Sequence, residues 1–491
     1  MATVGDAANE TREDIPLKAG AKTSRLCSCD EDFFGGSKFI SCAFAVLSAI
    51  ITVALLVQIY YGDYQVTPHG SVATDSRECS AIGTSVLKDG GNAVDAAIAS
   101  AFCLAVVNPH TTGLDASGQI MIYSHQTRIN PTSIDFTSIN MESSELPRLV
   151  IGLAYVHQRY SNLPWKRLVE PAASLARNGF FIPRMLATAI QNFKAVQLFG
   201  ALEAGGKLIL ESLGKTLENI ANIPEEDLYK SIPEQNQPME SQSLGSTFKY
   251  YNVFVPGSST IGLALLINLQ HIDNINFTAD NTVMPEYIYK LAEITEITYN
   301  DLNITTKFYQ GTSSNVAVMD LNDLYVSLVT GMYAQFGTRA MTHRGYLLDV
   351  KSSPLPPSRI PIIITDGDYV CGRRIVLGTS DIATASQIVT SLLIASENAT
   401  SGVEAPRFNI LSDKSIGIED MHTPLFTDEV VKYLESLGKV AIIPEPYNSC
   451  NVVEKTGYYI KAGAHQGISL NLGVPVQHYG VNNMSGKLLE I

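Results

Sequence analysis

Several common signatures are missing from this sequence of 491 residues. It has no G-x-G-x-x-G, P-loop or H-E-x-x-H pattern, which argues against dinucleotide binding, nucleotide binding and a simple metalloprotease. Its seven cysteines include no C-x-x-C pair and no Cys/His spacing typical of zinc. Lys and Arg number only 34 against 48 Asp and Glu, and the net charge of −14 argues against nucleic acid, because phosphate binding needs clustered cations. We therefore expect no metal, no cofactor and no nucleic-acid partner.

What remains is the composition of a globular protein. Hydrophobic residues make up 45% of the chain and charged residues 17%, which is too apolar for a disordered chain. The length fits two or three ordinary domains or one large α/β body.

One long apolar run interrupts this pattern at residues 39–61, FISCAFAVLSAIITVALLVQIYY. It is long enough to cross a bilayer, and it lacks the cleavage site of a signal peptide. Basic residues precede the run, among them Lys18, Lys22, Arg25 and Lys38, and none follows it until Arg77. The positive-inside rule then predicts a type II membrane protein, with a disordered cytoplasmic tail at 1–38, a signal-anchor helix at 39–61, and an extracellular or lumenal C-terminal part.

Other features of the C-terminal part suit such a compartment. N-x-[ST] glycosylation sequons occur at Asn276, Asn303, Asn398 and Asn483. Four cysteines fall in the same part, namely Cys79, Cys103, Cys371 and Cys450. An oxidising compartment permits one or two disulfides among them, and the sequence leaves the pairing open.

The stretch around Thr312 is the strongest candidate for chemistry. Gly311 and Thr312 precede an alternating run that breaks at 321–323 and returns at 324–330, which predicts a β-hairpin. Such a Gly-Thr step can be an ordinary turn. In self-cleaving hydrolases, however, a threonine placed in this way attacks the peptide bond before it and then acts as an N-terminal nucleophile whose own α-amine is the base.

The segment 72–109 predicts the opening of a compact domain. A short helix over 79–88 is stopped by Gly90 and Gly91, and Asn92 can cap a second helix over Ala93–Val107. The second helix is apolar on all sides, so we expect it to be buried beneath a sheet.

This segment resembles the γ-glutamyltransferase (glutathione hydrolase) family. The similarity rests on the runs DGGNAVDAAIA at 89–99 and VVNPHTTG at 106–113, and it continues through GL at 152–153, HQRY at 157–160, LPW at 163–165, LARNGF at 175–180 and VFVPGSS at 253–259. The length and wording are closest to a short, divergent branch of that family. The resemblance extends from about residue 72 to near the C-terminus.

The resemblance implies a fold and a reaction. The fold is α/β (α+β), an αββα sandwich of the N-terminal-nucleophile hydrolase type with an N-terminal transmembrane helix. The chain would cut itself between Gly311 and Thr312 into a large part, 62–311, and a small part, 312–491, which stay partners. Thr312 would attack the γ-glutamyl amide of glutathione or related γ-glutamyl compounds. Thr330, on the return strand, would support the nucleophile's amine through its hydroxyl.

Several residues that bind substrate in the family are replaced here. Thr137 stands where an arginine is expected, Met332 replaces an asparagine, and the Glu/Asp pair expected after Asp349 is absent from 350–353. One member of a Ser-Ser pair corresponds to Ser358. At the expected oxyanion turn the sequence reads GTSD at 378–381, where Asp381 can cap the helix that follows but brings a carboxylate to the site.

Three functions remain open at this point. The chain is an active γ-glutamyl hydrolase or transferase, a catalytically impaired relative that acts as a surface binding or regulatory protein, or an amidase of the same fold with a less charged substrate.

Overall fold

The computed structural model describes residues 36–61, 70–137, 139, 146–232, 234, 237–257, 260–304, 312–350, 358–411, 413–419, 426–443, 445, 447–457 and 459–465. The chain divides into two compact units, Met1–Thr67 and Pro68–Ile491.

The first unit contains the predicted apolar helix. Helix α1 spans Gly36–Tyr61, and its large apolar side chains between Ile40 and Leu56 are exposed. Over the residues that the structure describes, no helix is found to be both long and apolar enough to cross a membrane. The membrane span at 39–61 therefore stays a prediction.

The second unit is built from helices and strands in mixed order. Its helices are α2 (Arg77–Lys88), α3 (Ala93–Val107), α4 (Arg148–Tyr160), α5 (Trp165–Asn178), α6 (Arg184–Asn192), α7 (Val196–Phe199), α8 (Glu211–Ala221), α9 (Glu225–Lys230), α10 (Thr260–Asn274), α11 (Pro285–Leu302), α12 (Ile382–Leu393), α13 (Ala399–Glu404) and α14 (Asp428–Glu435).

Its strands are β1 (Gly70–Thr74), β2 (Ser117–Ser124), β3 (Thr132–Asp135), β4 (Phe180–Phe181), β5 (Lys207–Leu208), β6 (Met239–Gln242), β7 (Leu244–Phe248), β8 (Tyr251–Val255), β9 (Ser314–Asp320), β10 (Leu324–Gly331), β11 (Ile360–Asp366), β12 (Arg374–Thr379), β13 (Phe408–Ile410), β14 (Ile416–Glu419), β15 (Val440–Ile443), β16 (Cys450–Thr456) and β17 (Tyr459–His465). Two six-stranded sheets carry the fold, in the orders β1-β9-β10-β2-β3-β6 and β17-β16-β12-β11-β8-β7.

The two sheets pack face to face between two layers of helices. An inner apolar cluster joins them and includes Met319 and Tyr325 from the first sheet and Ile363 and Val376 from the second. One outer cluster joins the first sheet to α3, α4 and α5, and another joins the second sheet to α10, α11 and α12. This arrangement is the αββα sandwich that the resemblance implied.

The hairpin after Thr312 lies at the centre of the first sheet. Strands β9 and β10 are antiparallel neighbours, with Ser314 opposite Thr330, and Asp323 takes a left-handed conformation in the turn between them. Along β9, Val316 and Val318 contact the outer helices whereas alternate residues face the second sheet. The alternation that predicted the hairpin therefore reflects burial on both faces.

Helix α3 confirms the prediction of a buried helix. All of its residues from Ala93 to Val107 are buried, and Asn92 and Asp95 form a reciprocal capping box at its start. The structure also settles the cysteine pairing left open by the sequence, because Cys79 of α2 and Cys103 of α3 form a disulfide. Cys371 and Cys450 are free thiols.

Candidate active site

Thr312 lies two residues before β9, at the end of the first sheet where that strand begins. Its side chain is half-buried, and its Oγ1 donates a hydrogen bond to the backbone carbonyl of Thr111 at 3.3 Å. Gly311 lies outside the described residues. The hydroxyl proton of Thr312 therefore points to a fixed backbone acceptor. The lone pairs of Oγ1 take no part in this hydrogen bond, because the oxygen acts in it as the donor.

The turn after α3 holds this end of the hairpin in place. The carbonyl oxygen of Thr111 also accepts a hydrogen bond from the N–H of Met332, at 2.9 Å. The side-chain hydroxyl of Thr111 lies 2.7 Å from Ser314 Oγ. Thr112 Oγ1 lies 3.4 Å from Thr330 Oγ1. Thr111 and Thr112 are thus site residues to which the sequence argument gave no role. The signal was present, because both lie inside the VVNPHTTG run that carries the family resemblance.

Thr330 is fully buried on β10, which pairs with β9, the strand that follows Thr312. Its hydroxyl donates to the carbonyl of Ser117 at 3.0 Å and lies 3.4 Å from the hydroxyl of Thr112. The next residue, Gly331, packs directly on the backbone of Thr312. A Cβ at that position would lie 2.1 Å from the carbonyl oxygen of Thr312. The support of an N-terminal amine by Thr330 stays a prediction.

The expected oxyanion turn lies between β12 and α12. Gly378 approaches the hairpin so closely that a Cβ there would lie 2.6 Å from Val329 Cγ2 and 3.4 Å from Asn315 Cβ. Thr379 and Ser380 follow, both buried, and bring their backbone N–H groups to the start of α12. A strand-to-helix turn of this kind offers N–H donors to a developing negative charge.

Asp381 caps α12, as the sequence predicted. Its carboxylate accepts the Thr384 N–H at 2.8 Å and the hydroxyl of Tyr299. Burial raises the pKa of Asp381, and the hydrogen bonds from Tyr299 and Thr384 oppose that rise. The carboxylate is thus engaged by α11 and by the first turn of α12, which limits its effect on the oxyanion turn.

A second polar network lies on the other side of β9. Asp75, which follows β1, accepts a hydrogen bond from Asn451 Nδ2 at 2.5 Å and interacts with Ser314. Burial raises the pKa of Asp75 to about 6, against the opposing effect of these hydrogen bonds. Asn451 also bonds Asn315, so this network ties β1, β9 and β16 together at the strand end nearest Thr312.

Thr137, the residue that replaces the expected arginine, is bound to a carboxylate. Its N–H and its hydroxyl both donate to Asp135 Oδ1, at 2.8 and 2.6 Å. Asp135 Oδ2 accepts a further hydrogen bond from Gln119 at 2.5 Å. The described contacts of Thr137 therefore make it the partner of an acidic residue.

Ser358, the other predicted substrate residue, is buried and directly precedes a buried arginine. Arg359 has no exposed surface, and its Nη1 donates to the Ser358 carbonyl at 2.7 Å. Its Nη2 lies 3.4 Å from the carbonyl of Met332. Burial lowers the pKa of the Arg359 guanidinium to about 10, which leaves it cationic at neutral pH. Arg359 was not predicted as a site residue from the sequence.

Two further buried charges lie near Arg359. Asp349 accepts the Tyr333 N–H at 2.9 Å, and its Oδ2 lies 3.8 Å from Nη1 of Arg148, with both side chains almost wholly buried. Burial raises the pKa of Asp349 to about 6, and the hydrogen bond from Tyr333 and the charges of Arg148 and Arg359 oppose that rise. The sequence offered no pattern for this group, because its members come from three separate segments.

The glycosylation sequons fall at exposed helix ends where the structure describes them. Asn276 and Asn303 are exposed and take left-handed conformations beyond α10 and at the end of α11. Asn398 is exposed and caps α13 by accepting the Ser401 N–H at 2.9 Å. Asn483 lies outside the described residues. Modification of these side chains stays a prediction.

The αββα sandwich is the fold seen in N-terminal-nucleophile hydrolases. The crystal structure of cephalosporin acylase from Bacillus halodurans superposes with a TM-score of 0.64 at 17% identity, covering 82% of this chain and 95% of that one. A family model described as Gamma-glutamyltranspeptidase matches residues 79–146 and 138–232. Glutathione hydrolase 7 of Bos taurus is 24% identical over 88% of this chain and 82% of its own length, and glutathione hydrolase 2 of Arabidopsis thaliana is 41% identical over 24% of this chain and 23% of its own. The chain therefore resembles the γ-glutamyltranspeptidase family, by the family model over residues 79–232 and by its curated relatives over most of its length.

Proposed function

We propose that this protein is a membrane-anchored ectoprotein that cleaves or transfers the γ-glutamyl group of glutathione or related compounds. Thr312 is the nucleophile, and cleavage of the chain between Gly311 and Thr312 frees it. The observation that carries the proposal is the placement of the Thr312 hydroxyl, which bonds the Thr111 carbonyl at the start of the central hairpin. Similarity to proteins named glutathione hydrolases supports the choice of substrate.

The chemistry needs few groups beyond this threonine. In self-cleavage, Oγ1 of Thr312 gives up its proton and attacks the carbonyl carbon of Gly311, and the C–N bond between the two residues breaks as the nitrogen takes up a proton and becomes the free α-amine of Thr312. Water then hydrolyses the resulting ester, which releases the Gly311 carboxylate and restores the Thr312 hydroxyl. In turnover, the same Oγ1 attacks the γ-carbonyl of the substrate while the amine takes the hydroxyl proton and passes it to the leaving amine. Water or an acceptor amine then resolves the γ-glutamyl ester.

The surroundings of Thr312 support both steps. The Thr111 carbonyl fixes the hydroxyl in the precursor, and the contact of Gly331 with the Thr312 carbonyl leaves this backbone little freedom to move. The N–H groups at Thr379 and Ser380 are the proposed donors to the oxyanion formed in each attack.

A second candidate is a family member that keeps the fold and binds its ligand without turning it over. The hydrogen bonds between Thr137 and Asp135 favour this candidate, because they place a carboxylate where the family resemblance implied an arginine. Met332 in place of an asparagine points the same way, since a buried thioether cannot donate a hydrogen bond and is only a weak acceptor.

The deciding experiment follows self-cleavage and turnover in one series of full-length variants. Wild type, Thr312→Ala and Thr127→Ala are expressed in a secretory host, separated on a denaturing gel and assayed with a γ-glutamyl anilide. Thr127 is the matched control, because its exposed hydroxyl also donates to a backbone carbonyl, at 3.1 Å. We expect two fragments and anilide hydrolysis from wild type and Thr127→Ala, and one band and no hydrolysis from Thr312→Ala.

The outcomes separate the candidates. A single band from wild type contradicts Thr312 as a working nucleophile. Two fragments with an anilide rate equal to that of Thr312→Ala leave the binding protein as the remaining candidate.

The membrane placement is part of the same proposal and has its own test. Alkaline carbonate should leave the full chain in the membrane pellet, and a glycosidase should lower the mass of the C-terminal part. Wherever one of these asparagines carries a glycan, its replacement should remove that one glycan; the variants are Asn276→Gln, Asn303→Gln and Asn398→Gln. A chain that carbonate extracts and that carries no glycan would contradict the type II topology.

A further inference from the structure

The residues that follow Thr312 are held by side chains from the start of β16. The Ser449 hydroxyl donates a hydrogen bond to the backbone carbonyl of Ser313, at 3.1 Å. Asn315 accepts the N–H of Asn451 on its Oδ1 at 2.7 Å and donates from Nδ2 to the Ser449 hydroxyl at 3.0 Å. The segment directly after Thr312 is therefore fixed by side chains as well as by the pairing of β9 with β10.

Asp75, directly after β1, lies where these side chains converge. Its carboxylate accepts a hydrogen bond from Asn451 Nδ2 at 2.5 Å. It also forms hydrogen bonds with the side chains of Ser314 and Ser449 and with the backbone of Asn315. One carboxylate thus joins β1 to the start of β9 and to the start of β16. We refer to Asp75, Ser314, Asn315, Ser449 and Asn451 as the Asp75 cluster.

The Asp75 cluster also contacts the turn that holds the Thr312 hydroxyl. The hydroxyl of Ser314 lies 2.7 Å from the hydroxyl of Thr111. The carbonyl of Thr111 in turn accepts the hydroxyl of Thr312 at 3.3 Å. Thr312 is thus held by its hydroxyl through Thr111 and by its backbone through Ser313, and the Asp75 cluster contacts both of these neighbours.

The charge of Asp75 sets the direction of the hydrogen bond between Ser314 and Thr111. An ionised carboxylate only accepts, so the Ser314 proton goes to Asp75 and the Ser314 oxygen accepts the proton of Thr111. A protonated acid donates one hydrogen bond itself, which frees the Ser314 proton for Thr111. The Thr111 proton then has the carbonyl of Asn108, at 3.3 Å, as its acceptor. The turn thus offers an acceptor for each of two directions of the Thr111 hydroxyl.

Asp75 changes its charge close to neutral pH. Burial raises the pKa of this carboxyl to about 6, and the hydrogen bonds from Asn451, Ser314 and Ser449 oppose that rise. Asp75 is therefore almost wholly ionised at pH 8, whereas only about one-tenth of it is ionised at pH 5.

We propose that Asp75, when ionised, is a positioning residue for self-cleavage. Through Ser314 it directs the Thr111 hydroxyl and so fixes the turn whose carbonyl holds the hydroxyl of Thr312 for attack on the preceding peptide bond. The inference rests on the proposed function, since it concerns the self-cleavage step of that proposal. The uncleaved chain has no free α-amine at Thr312 to orient the hydroxyl, so placement by neighbouring residues matters most at this step.

The charged groups around Asp75 differ from it in exposure or in charge. Arg77 and Glu78 follow it in the chain and are exposed. Cys450 interacts with it from β16, and burial raises the pKa of that thiol to about 12, so the thiol stays neutral. Arg407 acts electrostatically on the same thiol and, as a guanidinium, keeps its charge. None of these four groups changes its charge together with Asp75.

Two histidines lie in the same region. His110 precedes Thr111, and burial lowers the pKa of its ring to about 4, so the ring is mostly neutral from pH 5 upward. His465 lies opposite Cys450 in the pairing of β16 with β17. Histidines ordinarily titrate at about pH 6.5, which is close to the range of Asp75. A variant of His465 is therefore needed to assign any pH dependence to Asp75.

The test measures how the rate of self-cleavage depends on pH. The full-length chain is made in a short pulse of cell-free translation with membrane vesicles, solubilised in detergent and moved to buffers between pH 5 and 8. The appearance of fragments is followed on a denaturing gel. We expect the wild-type rate to fall about 10-fold from pH 8 to pH 5, in proportion to the ionised fraction of Asp75.

Variants then assign this pH dependence to its residue. Asp75→Asn should cleave at least about 10-fold more slowly than wild type at pH 8, since a misplacement of about 1 Å can cost about 100-fold in rate. It should also lose the fall between pH 8 and 5, and Asp75→Glu should restore that fall. Ser449→Ala removes a hydrogen bond that lowers the pKa of Asp75, so the midpoint of the pH dependence should move to higher pH.

Asp320→Asn and His465→Gln are the controls. Asp320 lies at the opposite end of β9 and is also buried, and its carboxylate accepts the N–H groups of Asn322 and Leu324. Burial raises the pKa of Asp320 as well. Both variants should keep the pH dependence of wild type. A dependence that His465→Gln loses and Asp75→Asn keeps would overturn the inference.

Two other results would also overturn it. One is cleavage of Asp75→Asn at the wild-type rate at pH 8. The other is slow cleavage of Asp75→Asn with an unchanged pH midpoint, because a purely structural role would slow the reaction without moving its pH dependence. Should Asp75→Asn fail to fold, Ser449→Ala decides, and an unchanged midpoint in that protein contradicts the role of Asp75.

The inference and the proposed function fail in different ways. A wild-type chain that cleaves at one rate from pH 5 to 8 sustains the role of Thr312 and removes that of Asp75. Cleavage that depends on Asp75, in a protein that does not hydrolyse a γ-glutamyl anilide, sustains the inference and contradicts the proposed turnover. A chain that stays whole at every pH contradicts both.

Discussion

Replacing Gly331 with alanine should slow self-cleavage by moving Thr312. The added Cβ would lie 2.1 Å from the Thr312 carbonyl oxygen and 2.8 Å from Ser313 Cα. Both obstacles are backbone atoms, and contacts under 3.0 Å are essentially never seen for a real Cβ. The chain around Thr312 must therefore shift by about 0.9 Å, the difference between 3.0 and 2.1 Å.

The magnitude follows from how steeply the attack depends on position. A misplacement of about 1 Å can cost about 100-fold in rate, because the attacking oxygen leaves its near-attack geometry. The same insertion into a packed region destabilises a fold by about 1–3 kcal/mol. We therefore expect Gly331→Ala to remain folded and to cleave at least about 100-fold more slowly than wild type.

The assay is the time course of fragment appearance on a denaturing gel, with the melting temperature measured on the same samples. Gly438→Ala is the control, because its added Cβ would have Lys414 O as its nearest neighbour at an ordinary 3.5 Å, and no positive φ strains it. That variant should cleave at the wild-type rate. Wild-type cleavage by Gly331→Ala would refute the claim that this contact fixes the nucleophile.

Three further predictions concern stability. Cys79→Ser should lower the free energy of unfolding by about 3–4 kcal/mol, because the disulfide to Cys103 closes a loop with a sequence separation of 24. Arg407→Ala should cost about 3–5 kcal/mol, since it leaves buried Glu419 without the ion pair seen at 3.3 Å. The pKa of Asp349 in the folded protein is about 6, above its ordinary 3.8, so the folded chain holds this proton more tightly than the unfolded chain does. The free energy of unfolding should therefore fall by up to about 3 kcal/mol as the pH rises from about 4 to 6.

Each of these has a control in the chain, measured by denaturant unfolding. Cys371→Ser removes an exposed free thiol and should change nothing. Lys215→Ala breaks an exposed pair whose side chains are 66% and 70% accessible, and it should cost less than about 1 kcal/mol. In Asp349→Asn, the free energy of unfolding should depend less on pH between pH 4 and 6 than it does in wild type. An unchanged pH dependence would contradict the view that Asp349 causes it.

The features predicted from sequence were those set by local pattern. A continuous apolar run after a capping asparagine predicts the buried helix Ala93–Val107, and the structure has the helix at those residues. The hairpin after Thr312 shows its alternation and its turn within one short stretch. Asp381 occupies a cap position that propensity alone favours.

The parts that were missed depend on contacts between distant segments. Thr111 and Thr312 are 201 residues apart, and nothing in either segment specifies that a carbonyl of one accepts the hydroxyl of the other. Arg359, Asp349 and Arg148 come from a strand start, a loop and a helix start, so no spacing predicts their meeting. The pairing of Cys79 with Cys103 likewise follows from the packing of α2 on α3.

The N-terminal sequence of the smaller fragment of the full chain, expressed in a secretory host, tests the role of Thr312 most directly. We predict a fragment that begins at Thr312, with the sequence TSSNVAVMD. A chain that remains whole, or a fragment that begins at any other residue, would contradict it.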